Sequence, residues 1–216
     1  MTDTMEGLGT IKFNAPYVTV SEAKLYMHWD RQAPTDRDEI LRRTIGACCT
    51  RMQHFLNRPV APTPIIERKD GWGGEYVILR YSPVVKLVSC KEWQSSGGFV
   101  DLPESTPESP VDGVQVNYLE GWIMRTFSGY SWPRPFFPGS RNIEITYVAG
   151  YNPIPDDIWM GTMELIAHWW HNTQEAGGAG AKPNAYGGGG GDKGPWPGIP
   201  FRVMEMVDDY RLPSIA

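Results

Sequence analysis

The sequence predicts an α+β fold: a small helical bundle with an antiparallel β-rich insertion between its second and third helices. Three observations lead there. Helix-capping signals followed by apolar residues at steps of three and four lie toward both ends of the chain. Between them run short segments rich in β-branched and aromatic residues, separated by Gly, Pro, Asp and Ser. No connection among those segments is long enough for a crossover helix, so the strands pair antiparallel, as a meander or small sandwich. The helical bundle is assigned to residues 17–60 and 152–176, and the inserted β-rich domain to 61–151. A Gly/Pro-rich linker takes 177–198, and a carboxy-terminal helix and tail take 199–216.

The elements follow in order. Thr19-Val20-Ser21-Glu22 fits a capping box, and a short helix is expected from there to about Asp30, broken by Ala33-Pro34. Asp36 and Glu39 repeat the capping spacing, and Leu41, Ile45, Cys48, Met52 and Phe55 form the apolar stripe of a second helix ending near Asn57. The β-rich runs are residues 75–81, 84–88, 114–118, 122–125 and 143–148. Asp101 to Pro110 and Gly129 to Gly139 read as long exposed loops. Pro155-Asp156-Asp157 opens a third helix whose stripe is Ile158, Thr162, Leu165 and Trp169, widened by Met163, Ile166 and Trp170 and stopped by Gly177 and Gly178. Residues 176–200 read as a mobile linker, after which Phe201 to Tyr210 forms a short helix ended by Leu212-Pro213.

Composition narrows the function. At 216 residues, 41% apolar and 21% charged, the chain has enough core to fold. A net charge of −5 without any Lys/Arg run argues against gripping nucleic acid through its phosphates. Cys48, Cys49 and Cys90 have neither metal-ligand spacing nor a disulfide framework and read as free thiols in a reducing cytoplasm. No signal peptide and no membrane-spanning stretch is read, so the chain is expected to stay in the cytoplasm where it is made.

Catalytic patterns are weak. The glycine run Gly187 to Gly191 with Lys193 lacks the Gly-Lys-Ser/Thr ending of a phosphate loop, and Ser128 and Ser131 do not form a nucleophile elbow. Glu164, His168, His171 and Glu175 share one face of the third helix at spacings of four, three and four, where a metal could be held. His-x-x-His without an intervening Glu is not a zinc-protease motif, and such a face is more often the solvated side of an amphipathic helix. No catalytic, metal or cofactor-binding residue is assigned, and no cofactor is expected. Nine tryptophans point instead to large contact surfaces. Trp132, Phe136, Phe137 and Trp196, all in Pro/Gly-rich segments, are the candidate loop interface.

The order of these segments resembles the head-to-tail connector, or adaptor, family of long-tailed bacteriophages. Val18 to Leu25 resembles that family's opening helix. Asp38-Glu39-Ile40-Leu41 through Phe55-Leu56-Asn57-Arg58-Pro59 resembles its second helix with the closing Arg-Pro step. Tyr81-Ser82-Pro83-Val84, Ile145 to Tyr151 with Pro155, and Ala167-His168-Trp169 resemble the remainder, with a fainter match from Ile199-Pro200 to Tyr210-Arg211. The resemblance implies a non-enzymatic structural protein of the virion neck, assembled in the host cytoplasm. It implies a twelve-subunit ring between the portal protein and a stopper or tail-completion protein, lining a channel through which DNA passes without specific binding. Phe201, Met204, Val207, Tyr210 and Leu212 are the candidate portal-docking residues, set against the alternative that this segment folds back as a fourth helix of its own bundle. The competing readings are another neck or tail-completion protein, such as a stopper or tail terminator, and a metal-binding enzyme using the third-helix His/Glu face. The long Gly-rich linker and the enlarged proline-rich loops depart from the family pattern.

Overall fold

The capping box forms as read: in the computed structural model the Thr19 hydroxyl accepts from the Glu22 amide and the Glu22 carboxylate accepts from the Thr19 amide, opening α1 at Val20–Tyr26. The structure describes residues 16–29, 36–94, 98–127, 130–176 and 198–213. The elements that follow are α2 (Asp36–Leu56), β1 (Thr63–Gly71), β2 (Tyr76–Ile78), β3 (Val84–Gln94) and β4 (Gly98–Asp101). Then come β5 (Gly113–Asn117), β6 (Trp122–Phe127), β7 (Tyr130–Pro133), β8 (Gly139–Ala149), α3 (Asp156–Ala176) and α4 (Phe201–Val207), with a 3₁₀ turn at Asp208–Tyr210. The fold is mixed α+β, with antiparallel sheets inserted between the second and third helices.

The chain divides into two units. The described residues of 58–153 hold every described strand, and those of 14–57 and 154–216 hold the helices. In the helical unit, Leu41, Ile45, Cys48, Met52 and Leu56 of α2 and Ile158, Leu165, Ile166 and Trp170 of α3 are buried. Each such Leu or Ile side chain stabilises the fold by about 1.5–3 kcal/mol. Two boundaries differ from the sequence reading. α1 stops at Tyr26 because His28 takes a left-handed conformation (φ 54°) and the Trp29 amide reaches back to the Lys24 carbonyl at 2.9 Å, after which Trp29 stacks edge-on against Trp170 with ring centroids 4.8 Å apart. Asp36 lies inside α2 rather than before it, and Glu39 bonds Arg42 and Arg43. At the other end of α2 Asn57 is left-handed (φ 55°), the C-terminal stop expected there.

In the β unit one sheet runs β1-β8-β3-β4 and the other β2-β6-β5, with β7 paired to β6. Their inward faces share one core containing Ile65, Leu87, Ile143, Ile145 and Tyr147 from the first sheet and Val77, Val114 and Ile123 from the second. On the outward face of the first sheet, Arg68 lies opposite Glu144, Glu144 opposite Lys91, and Lys91 opposite Asp101, a row of alternating charge across four strands. The sequence reading misses β1, whose Glu67-Arg68-Lys69-Asp70 run looks like a loop. It also ends β3 too early, because register shifts at Val84/Lys86 and Leu87/Ser89 interrupt its alternation.

The two segments read as exposed loops are only partly so. Leu102 and Ser105 are buried, and the Ser105 hydroxyl accepts from the Val111 amide. Residues 130–133 form β7, and beyond it the chain is strapped down by the Arg134 amide on the Arg125 carbonyl and the Phe136 amide on the Gly74 carbonyl.

Candidate interface surfaces

The proline-rich loop is built around a buried carboxylate. Glu92 on β3 is fully buried and Arg125 on β6 is 4% exposed; Arg125 Nη1 donates to both Glu92 oxygens at 2.8 and 2.6 Å. Glu92 also accepts the Phe137 amide at 2.6 Å and Gln94 Nε2 at 3.0 Å. Asn142 completes the seat, accepting from the Gly71 amide at 2.7 Å and donating to the Phe137 carbonyl at 2.6 Å. Only glycine fits at position 71, since a Cβ there would lie 2.0 Å from the Phe137 carbonyl oxygen.

This strapping corrects one candidate residue. Held extended by those bonds, the loop turns alternate side chains inward and outward, and Phe136 falls inward, 1% exposed within the core, where it offers no partner a surface. Phe137 points out at 38% exposure. Trp132 lies on β7, but its side chain is outside the described residues, as is all of Trp196.

Phe137 has company that the sequence reading did not single out. β1 and β3 end, and β8 and β4 begin, at one end of the first sheet. There Trp72 is 88% exposed, and Trp93 and Phe99 pair edge-on with centroids 5.0 Å apart, each 48% exposed. Val100 joins them. Exposed aromatics at a sheet end make it a candidate contact surface. The signal available in the sequence was Trp72 between Gly71 and Gly73, an aromatic in a turn.

The carboxy-terminal helix packs on its own bundle. Val203 and Val207 of α4 are fully buried, and the contact is possible because α3 carries Gly161: a Cβ there would lie 3.0 Å from a Val207 methyl and 3.5 Å from a Val203 methyl. Beyond α4, the Tyr210 hydroxyl donates to Asp157 at 3.2 Å and the Leu212 amide to the Leu56 carbonyl at 3.0 Å. Val207 is therefore corrected from a docking residue to a core residue, because the apolar side of α4 meets α3. Phe201 stays 71% exposed, while Met204, Tyr210 and Leu212 are half-buried.

The polar face of α3 shows little metal-site character. Glu164 is approached by Arg202 at 3.7 Å, and His168 Nε2 lies 3.0 Å from Asn172 Nδ2. Burial pulls His168 below the ordinary imidazole value. Among the described residues no group of three or more His, Cys, Asp or Glu is placed to hold a metal ion; the Glu175 side chain, Ser128, the side chain of Ser131 and the run from Gly187 to Lys193 lie outside them. Among the described residues no helix is long and apolar enough to cross a membrane.

The fold has known counterparts. A chain in the neck of an empty gene transfer agent (GTA) particle computed with C6 symmetry superposes with a TM-score of 0.59 at 14% identity, over 97% of this chain and 95% of the other. A chain in the virion of the native gene transfer agent particle gives the same figures. A chain in the neck of the native particle computed with C12 symmetry gives 0.54 at the same identity and coverage. No protein-family profile matches this chain, and neither does any curated protein.

Proposed function

We propose that this protein is a structural subunit of the neck of a phage-like particle, of the head-to-tail adaptor type, forming a ring between the portal and a stopper or tail-completion protein. The observation that carries the reading is the likeness of fold over 97% of the chain to chains of gene transfer agent necks, one computed with C6 and one with C12 symmetry. The order of helices and strands agrees with it, since a mostly β stopper or tail terminator would lack the two helices ahead of the insertion. Such a ring needs contact surfaces and a channel rather than catalysis. The exposed aromatic end of the first sheet and Phe201 at the start of α4 are suited to neighbouring neck proteins. A net charge of −5 suits a wall that lets DNA slide past rather than bind.

The portal is the partner to test. Purified chain incubated with intact portal rings should co-purify with them. Failure of the chain to bind an intact portal ring would remove the adaptor reading, and salt-sensitive DNA binding by the free chain would remove the sliding wall.

A further inference from the structure

The edges of the two sheets are guarded unequally. β1 carries Glu67, Arg68, Lys69 and Asp70, and Glu67 takes the Arg80 amide at 3.1 Å. β5 is covered by its own chain, the Ser105 amide bonding the Val114 carbonyl at 2.8 Å and the Val114 amide the Pro103 carbonyl at 2.9 Å. β7 ends in Pro133, and β2 offers only three residues. Charge, cover, proline and shortness are the means by which a sheet avoids stray pairing. β4 closes the order β1-β8-β3-β4 with a single charge, Asp101, and the Leu102 amide on the Cys90 carbonyl at 2.8 Å carries its ladder one residue further. That bond also fixes the phase. Residues of an antiparallel ladder alternate, so Val100 turns its main-chain groups toward β3, while Phe99 and Asp101 turn theirs to the open side, where no described segment pairs with them. Phe99 and its neighbour Trp93 are each 48% exposed, and Val100 is 41% exposed.

We infer that β4 takes up one further strand, an extended segment of a neck protein other than this chain, with a Lys or Arg opposite Asp101 and an apolar residue two positions away opposite Phe99. Charge selects the occupant. The outer face runs Arg68, Glu144, Lys91, Asp101 from strand to strand and stops on an acid at the open edge, so the next strand continues the alternation with a base. Phe99, held edge-on against Trp93 with ring centroids 5.0 Å apart, supplies the apolar contact, and the main chains of Phe99 and Asp101 supply the hydrogen bonds, as in strand addition generally. A second copy is a poor source of that strand. Its β1 and β5 are guarded as above, and a second β4 has no base to set against Asp101. The inference rests on the neck reading for the source of the strand, and names the surface and the sequence pattern that reading leaves open.

The test uses the full chain and two short peptide probes, capped at both ends and alternating Thr with Val, in which one central Val is replaced by Lys or by Glu. Nuclear magnetic resonance titration to about 1 mM peptide, a range that detects weak binding, follows the β4 amides. The Lys peptide should shift the amides of β3 and β4 and slow the exchange of the Phe99 and Asp101 amides, and the Glu peptide should bind at least about threefold more weakly. Asp101→Lys should reverse that preference. Asp101→Pro, which removes an outward donor and no bond to β3, should weaken both peptides while Cys90 stays protected from thiol labelling. If Asp101→Pro unfolds, the Asp101→Lys arm decides alone. Equal binding of the two peptides, unprotected Phe99 and Asp101 amides, an unchanged preference in Asp101→Lys, or β4 amides protected by self-pairing of the chain without peptide each overturn the inference. Co-purification of the same proteins with intact portal rings separates the two readings. A chain that binds portal yet ignores both peptides keeps its neck role and loses this site, and one that takes the Lys peptide but leaves portal unbound keeps the site and loses the adaptor reading.

Discussion

In the helical unit two buried side chains bond within their own helix, Gln53 to the Cys49 carbonyl and Thr162 to the Ile158 carbonyl, each four residues back, and Thr162 also meets the Tyr17 hydroxyl at 2.7 Å. In the β unit buried polar groups reach far along the chain: Arg125 to Glu92 across 33 residues, the Phe137 amide to Glu92 across 45, the Gly71 amide to Asn142 across 71. The helical unit is thus closed by apolar surface meeting across a glycine. The β unit relies on charges and amides that must find one another in a core where an unpaired group is costly. Loss of one partner of a buried pair should therefore be the sharpest probe of the β unit, and added bulk at the glycine contact the sharpest probe of the helical unit.

The buried cysteines report on each unit separately. Burial pushes the Cys49 thiol up to about 11 and the Cys90 thiol up to about 12, and raises Cys48 further. Arg125→Met strands the Glu92 carboxylate in the core and should cost about 3–5 kcal/mol, the largest effect here. Its signature is fast labelling of Cys90, with Cys48 and Cys49 still protected. The double variant Glu92→Leu/Arg125→Met should recover part of that loss, and an Arg125→Met protein of wild-type stability would refute the role given to the pair. Gly161→Leu tests the helical unit. Its side chain would collide with Val207 and Val203, costing about 1–3 kcal/mol and freeing α4 to proteolysis while Cys90 stays protected. An intact, protected α4 in that variant would mean the helix is held elsewhere.

A further effect is expected with pH. A thiol whose folded value lies above the ordinary 9.0 favours the folded state fully below that value. As pH rises from there the unfolded chain releases its proton first, so the contribution falls, and it is lost by the folded value. Stability measured by denaturant titration should decline above about pH 9. Flat stability between there and about pH 11, with Cys49 and Cys90 unlabelled, would contradict the thiols' part in it.

The same contrast explains what the sequence made legible. Helical closure is written in periodicity, so the stripes of α2 and α3 and the capping box at Thr19 could be read directly. Closure of the β unit is written in long-range pairs that no local pattern reveals. A charged run concealed β1, register shifts shortened β3, and Phe136, which looks like a surface aromatic in a proline-rich run, is drawn inward by bonds from Glu92 and Gly74. The carboxy-terminal helix stood between two alternatives until Gly161 was placed beside Val207. The candidate surface at the end of the first sheet was legible only as single tryptophans, because the strands that gather them come from distant parts of the chain.

The proposed role is that of a ring-forming subunit of a neck. Its most direct test is the native mass of the complex formed when the full chain is added in excess to intact portal rings. The expected result is a defined complex carrying twelve copies of this chain on one portal ring, unchanged by further excess. A mass equal to the portal alone, or a ragged distribution of one or two copies, would contradict it.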